Sequence, residues 1–176
     1  MTLNPVIMLS SDPSGGAPRY LQDKHGDQFS VREFQPTDRS ALEVFYDDFE
    51  PKRAAQGLPP KSPDRIARWL DSVLIQGTHL LTFRDSALVG HALLVPTGEE
   101  GVSEYAVFLH KDVRGRGLGT ELNRAAIEAA RAAGLKGLWL TVEPHNRAAL
   151  RSYEKAGFTL LPGTLFSSEA EMRLTL

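Results

Sequence analysis

The chain of 176 residues contains no cysteine, which excludes disulfides, thiolate-bound metal and any acyl-cysteine intermediate. It also lacks an excess of charge. Twenty Lys and Arg against 22 Asp and Glu give a formal net charge of -2, so no global basic field draws it to nucleic acid or to an anionic membrane, and any anion site must be local. Long apolar runs are missing too. Near the N-terminus only Val6 to Leu9 are consecutively apolar, with no basic flank before them, which is far short of a signal peptide or a bilayer span. These absences predict a cytoplasmic protein with neither nucleic acid nor membrane as partner. There is no internal repeat and no heptad pattern. His79, His91, His110 and His145 fall near strand ends without metal-ligand spacing, which predicts no metal site.

What is present, with 41% hydrophobic residues, suffices for one core. "SSDPSGGAP" at 10–18 is made of small, Pro, Gly and Asp residues, so residues 1–28 read as an N-terminal arm before a single domain over 29–176. Phe29 to Phe34 is a β-type run. Leu42, Phe45 and Phe49 then mark an amphipathic helix capped by Thr37 or Asp38. Ser62-Pro63 opens a second helix with Ile66, Trp69, Leu70, Val73 and Leu74 buried and Gly77 at its C-terminal cap. A hairpin turns at Asp85-Ser86 and ends at Pro96. Residues 102–110 form a third strong strand, and a helix follows with Leu118, Leu122, Ala125 or Ala126, Ala129 and Ala133 on one face. "GLWLTVEP" is a buried strand, Asn146 caps a helix carrying Ala149, Leu150, Tyr153 and Ala156 inward, and "FTLL" and "AEMRLTL" complete the strands. The pattern predicts a mixed α/β (α+β) sheet flanked by helices, with a right-handed parallel strand-helix-strand crossover between residues 102 and 143.

Between that strand and its helix stands "KDVRGRGLGT", Lys111 to Thr120. The first N–H groups of a helix lack intrahelical partners and lie at the positive end of its dipole, and glycines let an anion reach them. Arg114 and Arg116 add donors suited to phosphate. The spacing is not that of a Walker A loop, because no lysine follows a glycine in the required place. A dinucleotide fingerprint would need glycine where Thr120 stands, with Glu143 as its ribose acid.

Arg114, Gly117 and Gly119 fit Arg-x-x-Gly-x-Gly, and here the sequence resembles the GNAT superfamily of N-acetyltransferases. "EYAVFLHKDVRGRGLGTELNRAAIEAA" looks like that family's strand-loop-helix core, and "LWLTVEPHNRAALRSYEKAGF" looks like its second segment. The resemblance covers residues 103 to 158. It implies a mostly antiparallel sheet with the parallel crossover at the cofactor site, and acetyl-CoA as co-substrate. Arg114, Gly115, Arg116, Gly117, Gly119 and Thr120 would then form the diphosphate cradle. The backbone near Phe108 and Leu109 would hold the pantetheine arm, with N–H groups of the 107–109 region meeting the oxyanion.

The same resemblance implies transfer of an acetyl group to a primary amine of a small molecule or a protein; with no cysteine in the chain, direct attack in a ternary complex is preferred over a covalent acyl-enzyme, a serine route being the alternative. An alkyl ammonium has a pKa of about 10.4 in water, so a base is needed. Glu104 is implied as that base, directly or through water; its other reading is a solvated strand carboxylate. The leaving thiolate, of pKa about 8.5, can take a proton from a phenol, and Tyr153 matches the family's tyrosine; its other reading is a core aromatic. Asn146 has two compatible readings, cofactor contact and helix cap. His110 is a proton relay or a solvated strand-end histidine. The loop 50–61 and the segment 162–169 would frame the acceptor, and Asp47, Asp48, Glu50, Glu99 and Glu100 could attract a cationic amine or simply be solvated. A homodimer is compatible with the sequence. The competing classes are a silent CoA-binding regulatory module and a nucleotide-binding α/β protein.

Overall fold

A computed structural model describes residues 17–52 and 58–176. In chain order these form β1 (Arg19–Gln22), β2 (Gln28–Glu33), α1 (Arg39–Asp48), α2 (Pro63–Val73), β3 (Thr78–Arg84), β4 (Ala87–Pro96) and β5 (Val102–Leu109), followed by α3 (Leu118–Ala132), β6 (Gly137–Val142), α4 (Arg147–Ala156), β7 (Thr159–Leu160) and β8 (Ala170–Thr175). One sheet runs β1-β2-β3-β4-β5-β6-β8-β7. Every neighbouring pair is antiparallel except β5 with β6, the pair that α3 connects. The mixed, mostly antiparallel sheet expected from the sequence is therefore present.

The extent of the N-terminal arm changes. Residues 1–16 lie outside the described residues, but Arg19–Gln22 is an edge strand in register with β2, Arg19 opposite Val31 and Leu21 opposite Phe29. Arg19 also forms an ion pair with Glu128 on α3. A four-residue strand with only Leu21 buried leaves too short an alternation to be read from sequence.

Strand alternation divides the core between the two faces of the sheet. Tyr105 joins Leu118, Leu122, Ala126, Leu150 and Tyr153 beneath α3 and α4. Phe108 joins Leu42, Phe45, Tyr46, Ile66 and Leu70 beneath α1 and α2. On α3 the buried row is Leu118, Leu122, Ala126 and Ala130, flanked by Ala125 and Ile127; the expected Ala129 is partly buried against the same core, while the expected Ala133, at the C-cap, is exposed. Asp38 occupies the residue before α1, yet its carboxylate accepts from Gln35 N–H at 2.8 Å and from Arg32 at 2.7 Å instead of capping the helix. α2 stops at Val73, and Gly77, with φ +69°, serves the turn into β3, where a Cβ would lie 1.8 Å from the Leu94 carbonyl oxygen.

The parallel pairing is short. β5 and β6 are in register only from Val102 opposite Gly137 to Glu104 opposite Trp139. Beyond that point β5 follows β4 and β6 follows β8. The sheet thus opens into a fork, and Glu104 stands at its base.

Candidate active site

One wall of the fork is bare backbone. His110 N–H donates to Val89 O across β4 at 2.8 Å, so alternation turns the peptide of Phe108 toward β4 as well and turns those of Val107 and Leu109 toward the open side. This corrects the expectation for Phe108: its backbone belongs to the β4 ladder and its side chain to the buried cluster under α1 and α2. The peptides of Leu109 and Val107 both face the open side.

The strand then enters a short 3₁₀ turn, Lys111–Val113, and the glycine segment. Gly115 and Gly117 have φ of +73° and +86°, a region L side chains rarely adopt. A Cβ at Gly115 would meet nothing within 4 Å. At Gly119 a Cβ would come within 3.4 Å of the Leu109 side chain and 3.5 Å of Ser152 Oγ, so glycine lets α3 approach β5 and α4. Among the described residues the N–H groups of Gly115, Arg116, Gly117, Leu118 and Gly119 have no acceptor. Five unpaired donors at the positive end of α3, with open space at Gly115, fit a diphosphate.

The two arginines are placed otherwise than expected. Arg114 donates through Nε to Leu109 O at 2.8 Å, reaches the Glu50 carbonyl, and lies 5.1 Å over the Phe49 ring. Arg116 forms an ion pair with Asp23 at 2.6 Å and another with Asp27, and its carbonyl accepts from Lys24 N–H at 2.9 Å. Burial pushes the Asp23 carboxyl up, but the His25 and Asp27 peptide N–H groups, followed by Arg116, outweigh it and hold the carboxyl below its ordinary range. Both guanidinium groups therefore already have protein acceptors. The β1–β2 turn, which the sequence assigns to an arm, docks on the loop and supplies those of Arg116.

Glu104 and Tyr153 lie on opposite faces of the sheet. Glu104 shares its side of β5 with Ala106 and Phe108, toward α1 and α2, and is exposed. Partial desolvation, and then the nearby Glu169 carboxylate, raise its pKa above the ordinary carboxylate value. Tyr153 lies on the α3 and α4 side, buried against Tyr105 and Phe158 with ring centroids 6.2 and 5.7 Å away. Burial pushes its pKa well above that of a free phenol, so it stays protonated. Its hydroxyl has no hydrogen-bond partner among the described residues. Next to it runs a network that sequence reasoning missed: Tyr105 donates to Asn123 Oδ1 at 2.8 Å, Asn123 donates to Ser152 Oγ at 3.1 Å, and Thr120 Oγ1 meets the same hydroxyl at 3.1 Å. The signal was an asparagine on an otherwise apolar helix row. Thr120 thus ties α3 to α4. Asn146 acts as the cap, accepting from Ala149 N–H at 3.2 Å.

His110 has a partner after all, Asp48, at 2.9 Å through Nε2. Of the other acids proposed to attract an amine, Asp47 pairs with Lys52, Glu99 with Arg173 and Glu100 with Lys136. His79 and His91 are buried, and His91 lies inside β4. His79 Nε2 faces two carbonyls, Val73 O at 3.0 Å and Gln76 O at 2.8 Å, so it carries the proton. His79 Nδ1 must then accept from His91 Nε2 at 3.0 Å, and His91 Nδ1 from the Tyr46 hydroxyl at 2.6 Å. Burial first, and His79 second, lower the His91 pKa to about 3. Among the described residues no His, Cys, Asp or Glu cluster could hold a metal, and no helix is long and apolar enough to cross a membrane.

Comparison with known proteins bears on the whole arrangement. A family model described as the acetyltransferase (GNAT) family matches residues 40–158. The L-methionine sulfoximine/L-methionine sulfone acetyltransferase of Pseudomonas aeruginosa is 34% identical over 98 residues, covering 52% of this chain and 57% of that protein. The mycothiol acetyltransferase of Sanguibacter keddieii is 35% identical over 102 residues, 54% of this chain and 31% of that protein. The matches thus take in little more than half of the first relative and about a third of the second. The GNAT domain of S. lividans PAT shares the fold with a TM-score of 0.76 at 17% identity, over 90% of this chain and 97% of that domain.

Proposed function

We propose a function from one premise: the chain belongs to the acetyltransferase (GNAT) family. We infer that it transfers an acetyl group from acetyl-CoA to a primary amine by direct attack in a ternary complex. The observation that carries this reading is the forked sheet with unpaired peptide N–H groups along Gly115 to Gly119 at its mouth. The N–H groups of Val107 and Leu109 line one arm of the same fork. The residues present fit the coenzyme: the loop amides take the diphosphate, and the open edge of β5 takes the pantetheine amides by strand-like pairing.

Acetyl-CoA supplies a thioester carbonyl and a thiolate leaving group. Glu104, its pKa raised, removes the ammonium proton of the acceptor directly or through one water, and the freed amine attacks the carbonyl carbon. The N–H of Val107, nearer the base of the fork, donates to the oxygen on which charge develops, and that of Leu109, nearer the glycine loop, pairs with the pantetheine arm. As the C–S bond breaks, Tyr153 gives its phenolic proton to the sulfur and is restored by the second proton that the attacking nitrogen sheds in becoming an amide; burial keeps the phenol protonated until that exchange. The acceptor is a small-molecule amine. Both curated relatives above are named for small molecules, and the acids that could have formed a broad cationic-protein dock are mostly paired with basic side chains of the fold.

The test is acetyl-CoA consumption by the purified full chain across a panel of amino acids, amino-acid analogues, polyamines and peptides, read as acetylated product by mass. Acetylation of a small amine is the expected result. Absence of transfer to every amine, with CoA binding intact, would contradict the enzymatic reading.

A further inference from the structure

The arginines leave a problem at the glycine loop: Arg114 is turned to two backbone carbonyls and Arg116 to two carboxylates, and a diphosphate brings two negative charges to five free N–H donors. One cation lies on the loop from elsewhere in the chain. A Cβ at Gly117 would stand 3.1 Å from both Cγ and Cε of Lys24, so the lysine stem crosses the glycine that begins α3. Lys24 is exposed, and among the described residues its ammonium has no acidic partner. We propose that Lys24, carried by the β1–β2 turn, is the cation that contacts the coenzyme diphosphate at Gly117. This rests on the coenzyme reading given above.

The turn is built to hold that lysine still. Asp23 Oδ1 accepts from His25 N–H at 2.9 Å and from Asp27 N–H at 3.0 Å, which closes the turn on itself. Lys24 N–H donates to Arg116 O, and the Arg116 guanidinium closes the clasp on Asp23 and Asp27. Arg116 therefore positions the turn, and Lys24 touches the ligand. The charges agree with this division. Arg116 with its two aspartates sums to one negative charge beside the phosphate site, which Lys24 cancels; without Lys24 the clasp would repel the coenzyme. Glycine at 117 is required twice over, by its positive φ and by the lysine stem above it.

The experiment is calorimetric titration of the full chain with CoA and with dephospho-CoA, which lacks the 3′-phosphate. Wild type should bind both. Lys24→Ala should weaken both by about tenfold, the scale of one charge-assisted contact, and Lys24→Glu should weaken both further. Lys24→Arg should recover most of the affinity lost in Lys24→Ala. Thermal melting of the unliganded variants should match wild type, because the side chain is exposed. Unchanged affinity in Lys24→Ala would overturn the proposal, and a loss confined to CoA would overturn it by moving the contact to the 3′-phosphate. Failure of wild type to bind either compound would instead strike the coenzyme reading itself.

Discussion

Tyr153 sits between Tyr105 and Phe158 with a hydroxyl that has no partner among the described residues, so Tyr153→Phe removes a proton donor and little else. Turnover should fall by about 100-fold or more, with CoA affinity and melting temperature nearly unchanged; full turnover in the variant would return Tyr153 to the role of a core aromatic. Glu104→Gln should lower turnover by a similar factor at neutral pH and recover at high pH, where the amine is already deprotonated. For wild type, kcat/KM should drop as pH falls through the pKa of Glu104, and that limb should lie above the ordinary carboxylate range because burial and Glu169 raise it. The strand and the capped helix that carry Glu104 and Tyr153 were legible as local patterns, whereas the two residues were singled out by the family resemblance, and their roles are what these variants test. The arginines were legible as residues but not as partners. Asp27 lies 89 positions from Arg116, and no local pattern announces a pairing at that separation.

At the scale of elements, the chain Tyr46, His91, His79 joins α1 to β4 and β3 through neutral imidazoles buried in the sheet. An unfolded histidine has a pKa of about 6.5, whereas His91 in the fold is lowered to about 3. Between these values the unfolded chain binds the proton and the fold does not. The stabilising contribution is therefore complete above pH about 6.5 and is lost as pH falls toward 3, at up to about 1.4 kcal/mol per pH unit for one group. Urea unfolding at pH 7.5, 6 and 5 should show this loss, and His91→Gln should flatten it; a wild-type stability that does not change over that range would contradict the assigned protonation. The sequence placed His79 and His91 near strand ends without partners, since it shows which residues are present but not which cross-strand neighbours meet. The β1–β2 turn was hidden for a related reason: its strand is four residues long, and its importance comes from docking on a loop far along the chain.

The whole molecule is a sheet that divides. Alternation, helix stripes and turn glycines were enough to expect the mixed sheet with one parallel crossover, because each element announces itself locally. The fork was not legible, since the end of β5–β6 pairing at Glu104 depends on β5 continuing with β4 while β6 continues with β8. On the reading proposed above, the peptide N–H groups exposed by this division hold the coenzyme. Amide NMR of the full chain during titration with CoA reports on those groups one by one. The expected result is saturable shifts centred on Gly115, Arg116, Gly117, Leu118 and Gly119, with Val107 and Leu109 following. Shifts centred elsewhere in the protein, or none at millimolar CoA, would contradict it.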